Sequence, residues 1–221
     1  MSKVDAATVK RVTKDWAALY PGFDVWRPLR LLRRIGPVLQ GVTLDRSTSG
    51  DAYFPTVHIH ALTREFPVIS LTLGQRLVTS SGVQEAVTFS RHVEDYSDAA
   101  RRLTEQARLS LDLPPTVEDV VRELRAFAVS RQAQGGPPAV NEVEDSVLIP
   151  AASGSVDIAK ESIQLAQELL RKWPKSRLPI NWTSGDEWLE GLSAKVGNVD
   201  SLHEVVDGQI AFHKLAKVRQ E

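Results

Sequence analysis

The chain of 221 residues carries 27 Lys and Arg against 28 Asp and Glu, is 42% hydrophobic and contains no cysteine. That length can bury a substantial core in one domain or two small ones. The lack of cysteine excludes disulfides, thiolate catalysis, thiolate zinc sites and cysteine-held iron–sulfur clusters. No stretch approaches the roughly 18–20 apolar residues that span a bilayer. With no secretion-type apolar core near the start, the expectation is a soluble, cytoplasmic protein without a membrane partner. Charge is nearly balanced, although the first 50 residues hold 9 basic against 4 acidic side chains.

In chain order, Val9, Val12, Trp16 and Leu19 recur at helical spacing behind a Ser2 or Asp5 cap, with Lys3, Lys10 and Lys14 on another face. Tyr20-Pro-Gly-Phe23 ends that helix. Residues 25–78 read mainly as strands: "PVLQGVTLD", "TVHIHAL" and "FPVISLTLG" each alternate, and "DRSTSGD" marks a turn. "RPLRLLRRI" fits either a further strand or a helix. Short connections between these runs favour antiparallel pairing.

Helices return after residue 96. Ser97 is placed to cap a stripe of Ala100, Leu103, Ala107 and Leu111, and Thr116 with Asp119 resembles a capping box. "RQAQGGPPAVNEVEDS" reads as a linker, because Gly-Gly-Pro-Pro is followed by an acidic run. A helix is expected from near Asp157 to Pro174, and another behind the cap Ser184, with Trp182 and Trp188 packed on each other. Residues 200–219 are read as helix despite Gly208, which weakens it by about 1 kcal/mol relative to Ala. The fold expected is α+β: an N-terminal helix, an antiparallel sheet of three to four strands, then a helical C-terminal half. The organisation expected is an α+β domain over 1–133, a linker or long loop over 134–156, and a helical subdomain over 157–221.

Two groups of side chains carry candidate chemistry. His58 and His60, two apart on a strand, point the same way and present two imidazoles to one side. A catalytic zinc needs a third protein ligand, for which Asp45, Asp51 and His92 are nearest in sequence. The competing reading is the polar face of a half-buried strand, open to a partner. The second group is Arg27, Arg30, Arg33 and Arg34, near Trp26 and the lysine face of the first helix, as one positive surface for phosphate or an acidic protein. Around Trp173, Trp182 and Trp188 the choice lies between a small helical core and a docking edge. No Walker loop, G-x-G-x-x-G or G-x-S-x-G pattern occurs.

The span "RRIGPVLQGVTLDRS…YFPTVHIHAL" resembles uncharacterised bacterial domains found beside toxin or phage-defence genes. The resemblance implies an immunity or defence-accessory role. The leading functional reading is a non-enzymatic protein-binding module acting within a complex, with no cofactor. Its contacts are expected at Arg27, Arg30, Arg33, Arg34, His58 and His60. The alternatives are a metal-dependent hydrolase using His58 and His60, and a nucleic-acid-binding accessory using Arg27 to Arg34.

Overall fold

The computed structural model describes residues 4–180 and 182–221, so the expected roles of Ser2 and Lys3 lie outside the described residues. The fold is α+β, with an N-terminal helix, an antiparallel sheet and a helical C-terminal half. Contacts divide the chain into two compact units: Met1–His60 with Val68–Pro114 and His213–Glu221, and Ala61–Pro67 with Pro115–Phe212.

In the first unit, helix α1 (Ala6–Leu19) starts at Asp5, whose carboxylate accepts the Thr8 N–H. The sheet follows as β1 (Asp24–Arg27), β2 (Arg30–Ile35), β3 (Val38–Arg46), β4 (Ala52–Ala61), β5 (Thr72–Arg76) and β6 (Val87–Thr88). Its order is β1-β2-β3-β4-β5, with β6 also paired to β4. The ambiguous "RPLRLLRRI" thus supplies a strand, and six strands stand where three to four were expected. Helix α2 (His92–Gln106) closes one face of the sheet together with α1. Val12 and Trp16 of α1 and Ala99, Ala100 and Leu103 of α2 pack there on Leu31, Val42, Leu44, Tyr53 and Val57.

Two expected boundaries shift for identifiable reasons. "FPVISLTLG" is strand only from Thr72, because the N–H and hydroxyl of Ser70 both turn to His60 Nδ1 (3.1 and 2.8 Å) rather than to a ladder partner. Helix α2 begins five residues before Ser97, its first turn tied by Arg91 to Glu94 (3.3 Å) and Asp95 (3.0 Å).

The second unit is helical: α3 (Val117–Ala133), α4 (Val140–Ala152), α5 (Val156–Lys172), α6 (Gly185–Val196) and α7 (Val199–Phe212). Thr116 and Asp119 form the expected capping box, and Ser184 caps α6. The segment 134–156, read as a linker, instead contains α4, which touches all four other helices. Its acidic run is not solvated filler. Arg64 donates to Asp145 Oδ1 through Nε (3.0 Å) and Nη2 (2.8 Å) and to Glu144 through Nη1 (3.2 Å), while Trp188 Nε1 donates to the other Glu144 oxygen (2.7 Å). Burial pushes the Asp145 carboxyl up to about 7 despite the pull of Arg64. Trp173 is buried and Trp182 stacks on Trp188 with centroids 4.6 Å apart, so these rings close a helical core.

Pro150 sits inside α4 and removes the N–H that would satisfy the Ser146 carbonyl one turn back. Ser162 of α5, itself fully buried, donates to that carbonyl at 2.7 Å and accepts from Arg125 Nε at 2.9 Å. Ser162→Ala is therefore expected to cost about 1–3 kcal/mol by leaving a buried acceptor unpaired. The cost is expected to fall in a Pro150→Ala background, where residue 150 regains its N–H. Urea unfolding of the four proteins measures the coupling; equal costs in both backgrounds would rule out this repair.

Candidate docking groove

The first turn and middle of α1 leave one side uncovered beside the β1–β2 hairpin. Between them lies an open groove of about 1000 Å³. On the helix side its floor is Val9, Thr13 and Ala17, with Lys10 and Lys14 rising from it one turn apart. The opposite wall is Val25, Trp26, Arg27 and Pro28, and Arg46 from the end of β3 joins the lining.

Local chemistry holds this geometry. Arg27-Pro-Leu-Arg30 turns tightly, Pro28 supplying the preset φ and Leu29 sitting at φ +63° where glycine is usual. That left-handed conformation costs on the order of 1–3 kcal/mol. Three contacts offset it: the Leu29 side chain is buried in the core, its N–H donates to Thr13 Oγ1 (2.9 Å), and its carbonyl accepts from Leu44 N (2.9 Å). Thr13 Oγ1 also donates to the Val9 carbonyl at 2.8 Å, so the hydroxyl joins α1 to the hairpin tip. Trp26 is fixed by its Nε1, which donates to the His213 carbonyl at 2.9 Å. The Arg27 guanidinium lies over the Trp26 ring, 4.0 Å from its centroid.

The electrostatics are one-sided. Among the described residues, no carboxylate lies within ion-pair distance of Lys10, Lys14, Arg27 or Arg46. Arg46 donates to the Gly50 carbonyl (3.1 Å), a neutral partner. Asp5 is the single acid in the lining, and the Thr8 backbone N–H holds its carboxyl below the usual range.

The sequence-derived candidates fare differently. Successive residues of a strand face opposite ways, so Arg33 and Arg34 cannot share one surface. Arg33 is fully buried over the Phe23 ring, with its guanidinium donating to Gln40 Oε1, Ser110 O and Leu113 O, each at 2.8 Å. Burial pushes it down to about 10, leaving it charged. Arg34 pairs with the chain end at Gln220, and Arg30 reaches Asp45 at 3.8 Å. Arg27 alone of the four joins Lys10 and Lys14.

His58 and His60 do not form an exposed strand face, since both are buried. His58 Nε2 shares a hydrogen bond with Thr43 Oγ1 (3.0 Å) across the ladder, and Gly41 makes room for it: a Cβ there would come within 2.3 Å of Nε2. The proposed third ligands are engaged elsewhere. Asp45 faces Arg30, Asp51 accepts from Ser47 and Ser49, and His92 lies between Asp15 and Tyr53. Among the described residues, no group of three or more His, Asp or Glu is placed to hold a metal ion.

One constellation had no signal in the sequence. Trp16 Nε1 donates to Tyr53 Oη (3.1 Å), Tyr53 Oη lies 2.7 Å from His92 Nδ1, and His92 Nε2 lies 3.0 Å from Asp15 Oδ2. The consistent assignment has Tyr53 donating to Nδ1 and the Nε2–H donating to Asp15. These residues come from α1, β4 and α2, up to 77 positions apart. Their contacts join the helices to the sheet.

Two measurements separate these roles. Arg33→Met is expected to destabilise by about 2–4 kcal/mol, since it abandons buried carbonyls, whereas Arg27→Ala should stay within about 0.5 kcal/mol. Denaturant midpoints check both. Burial also pushes His58 down to about 4 from 6.5. Its neutral form therefore contributes stability that is complete above pH 6.5 and is lost as pH falls towards 4. His58→Gln should flatten the stability curve in that window; an unchanged slope would assign the acid sensitivity to other groups. No helix among the described residues is long and apolar enough to cross a membrane. No protein-family model, no curated protein and no solved structure matches the chain.

Proposed function

We propose that this chain is a non-enzymatic, cytoplasmic protein-binding module whose docking surface is the groove between α1 and the β1–β2 hairpin. Its ligand is an acidic, apolar-bearing segment of a partner protein. The observation that carries this reading is the set of four cations, Lys10, Lys14, Arg27 and Arg46, standing without carboxylate partners among the described residues around an apolar floor. An apolar surface gains by being covered, and unpaired cations at its rim select and steer an anionic partner. The hydroxyl of Thr13 is committed both as donor and as acceptor, which supports binding rather than nucleophilic chemistry in the groove.

The same geometry weighs against a nucleic-acid accessory. Base stacking needs an open aromatic face, and one face of Trp26 is already covered by Arg27. Arg33, central to that alternative, is buried.

The test is affinity purification from the native cell after nuclease treatment, with Lys10→Glu/Lys14→Glu/Arg27→Glu beside wild type and Arg34→Glu as a control outside the groove. A protein recovered with wild type and with the control, and reduced at least tenfold with the triple variant, is expected. Tenfold corresponds to about 1.4 kcal/mol. Equal recovery by all three would overturn the groove as the docking surface.

A further inference from the structure

We infer that the occupant of the groove is an amphipathic α-helix laid alongside α1, carrying carboxylates on both flanks of its apolar stripe. This rests on the groove being the docking surface and concerns the form of the ligand. The lining residues of α1 run from Ala6 to Ala17. Eleven helical steps at about 1.5 Å make a trough about 16 Å long. A helix of about 12 residues fills that length with about three turns.

The side chains of α1 that form the floor are short. Ala6, Val9, Thr13 and Ala17 recur at helical intervals along it. Short side chains let a second axis approach to the 8–10 Å typical of packed helices. The walls beside them stay high, with Lys10 and Lys14 on one side and Trp26 and Arg27 on the other.

The placement of charge decides between helix and strand. Cations stand on both walls, with the apolar floor between them. A ligand must therefore point apolar groups down and acidic groups sideways in both directions. A helix does this, because residues one position before or after an apolar anchor project at about 100° to either side. An extended strand turns alternate side chains by 180°, so its acidic groups would face away from the protein and reach neither wall. The edge strand β1 has only four residues, with a register shift between Val25 and Arg27, and offers little ladder for strand addition.

The experiment uses the full chain and two fluorescein-labelled synthetic peptides of about 14 residues with identical Leu, Ala and Glu content. One places Leu at helical intervals with Glu on both flanks; the other alternates Leu and Glu. Fluorescence anisotropy is expected to show the helical-period peptide binding at least tenfold more tightly. Circular dichroism should show that peptide gaining helix on binding, and Lys10→Glu/Lys14→Glu should weaken it at least tenfold. If the alternating peptide binds as tightly, and both lose affinity to the double variant, the helical inference fails and the groove reading stands. If neither peptide binds, or binding ignores the double variant while its own fold is unchanged, the groove reading fails as well. A DNA duplex or phosphatidylglycerol vesicles that bind in place of both peptides, and are lost in the same variant, would make this a phosphate-binding surface and overturn the inference.

Discussion

The strands β3 and β4 are buried on both faces almost along their whole length, and most other features follow from that constraint. A polar side chain on such a strand has no water to turn to, and leaving it unpaired costs kilocalories. Specific partners answer this constraint: Gln40 meets Arg33 of β2 and the Ser110 carbonyl, Thr43 meets His58, and Tyr53 meets Trp16 and His92, although His58 Nδ1 and Arg33 Nη1 stay buried without a hydrogen-bond partner among the described residues. These bonds fix strand register and attach α1, α2 and the segment after α2 to the sheet. They also explain why most residues that looked chemically promising are spent on the fold.

The charges left exposed beside the groove stand against a hairpin held by specific contacts. Thr13 and Leu44 clamp a hairpin tip that Leu29 holds in an unfavourable conformation. Trp26 is tethered through its indole N–H, and Arg27 rests on its ring. A wall ordered before binding loses less entropy when a ligand arrives. The lysines of α1 are exposed, so the two walls differ: one is held by hydrogen bonds, the other carries solvated charge.

The helical unit follows the same rule with different means. Helix α4 is enclosed by the other four helices, so its acidic residues need internal counterparts, which Arg64 and the Trp188 indole provide. Its proline breaks one backbone bond, and a serine of α5 replaces it. In both units a locally unfavourable residue is tolerated because a side chain distant in sequence completes its hydrogen bonds.

By itself the sequence determined the elements with strong periodicity or caps: α1 behind Ser2 or Asp5, the alternating runs of β3 and β4, the capping box at Thr116 and the Ser184 cap, and hence the α+β class. Helical and strand periods and N-caps are properties of residues a few positions apart, so they survive without any knowledge of the fold. The basic face Lys10–Lys14 with Trp26 and Arg27 was legible for the same reason. Tertiary structure alone decided which of those charges meet solvent. Arg33 and Arg34, read from the sequence as parts of one positive surface, face opposite ways on β2, and only the fold showed that Arg33 has no external face and that His58 lies under cover. The acidic run of α4 read as linker because its partner Arg64 is some 80 positions away. The Asp15–His92–Tyr53 chain and the place of Arg46 beside α1 were invisible for the same physical reason: burial and pairing are set by elements that meet only when the chain has folded.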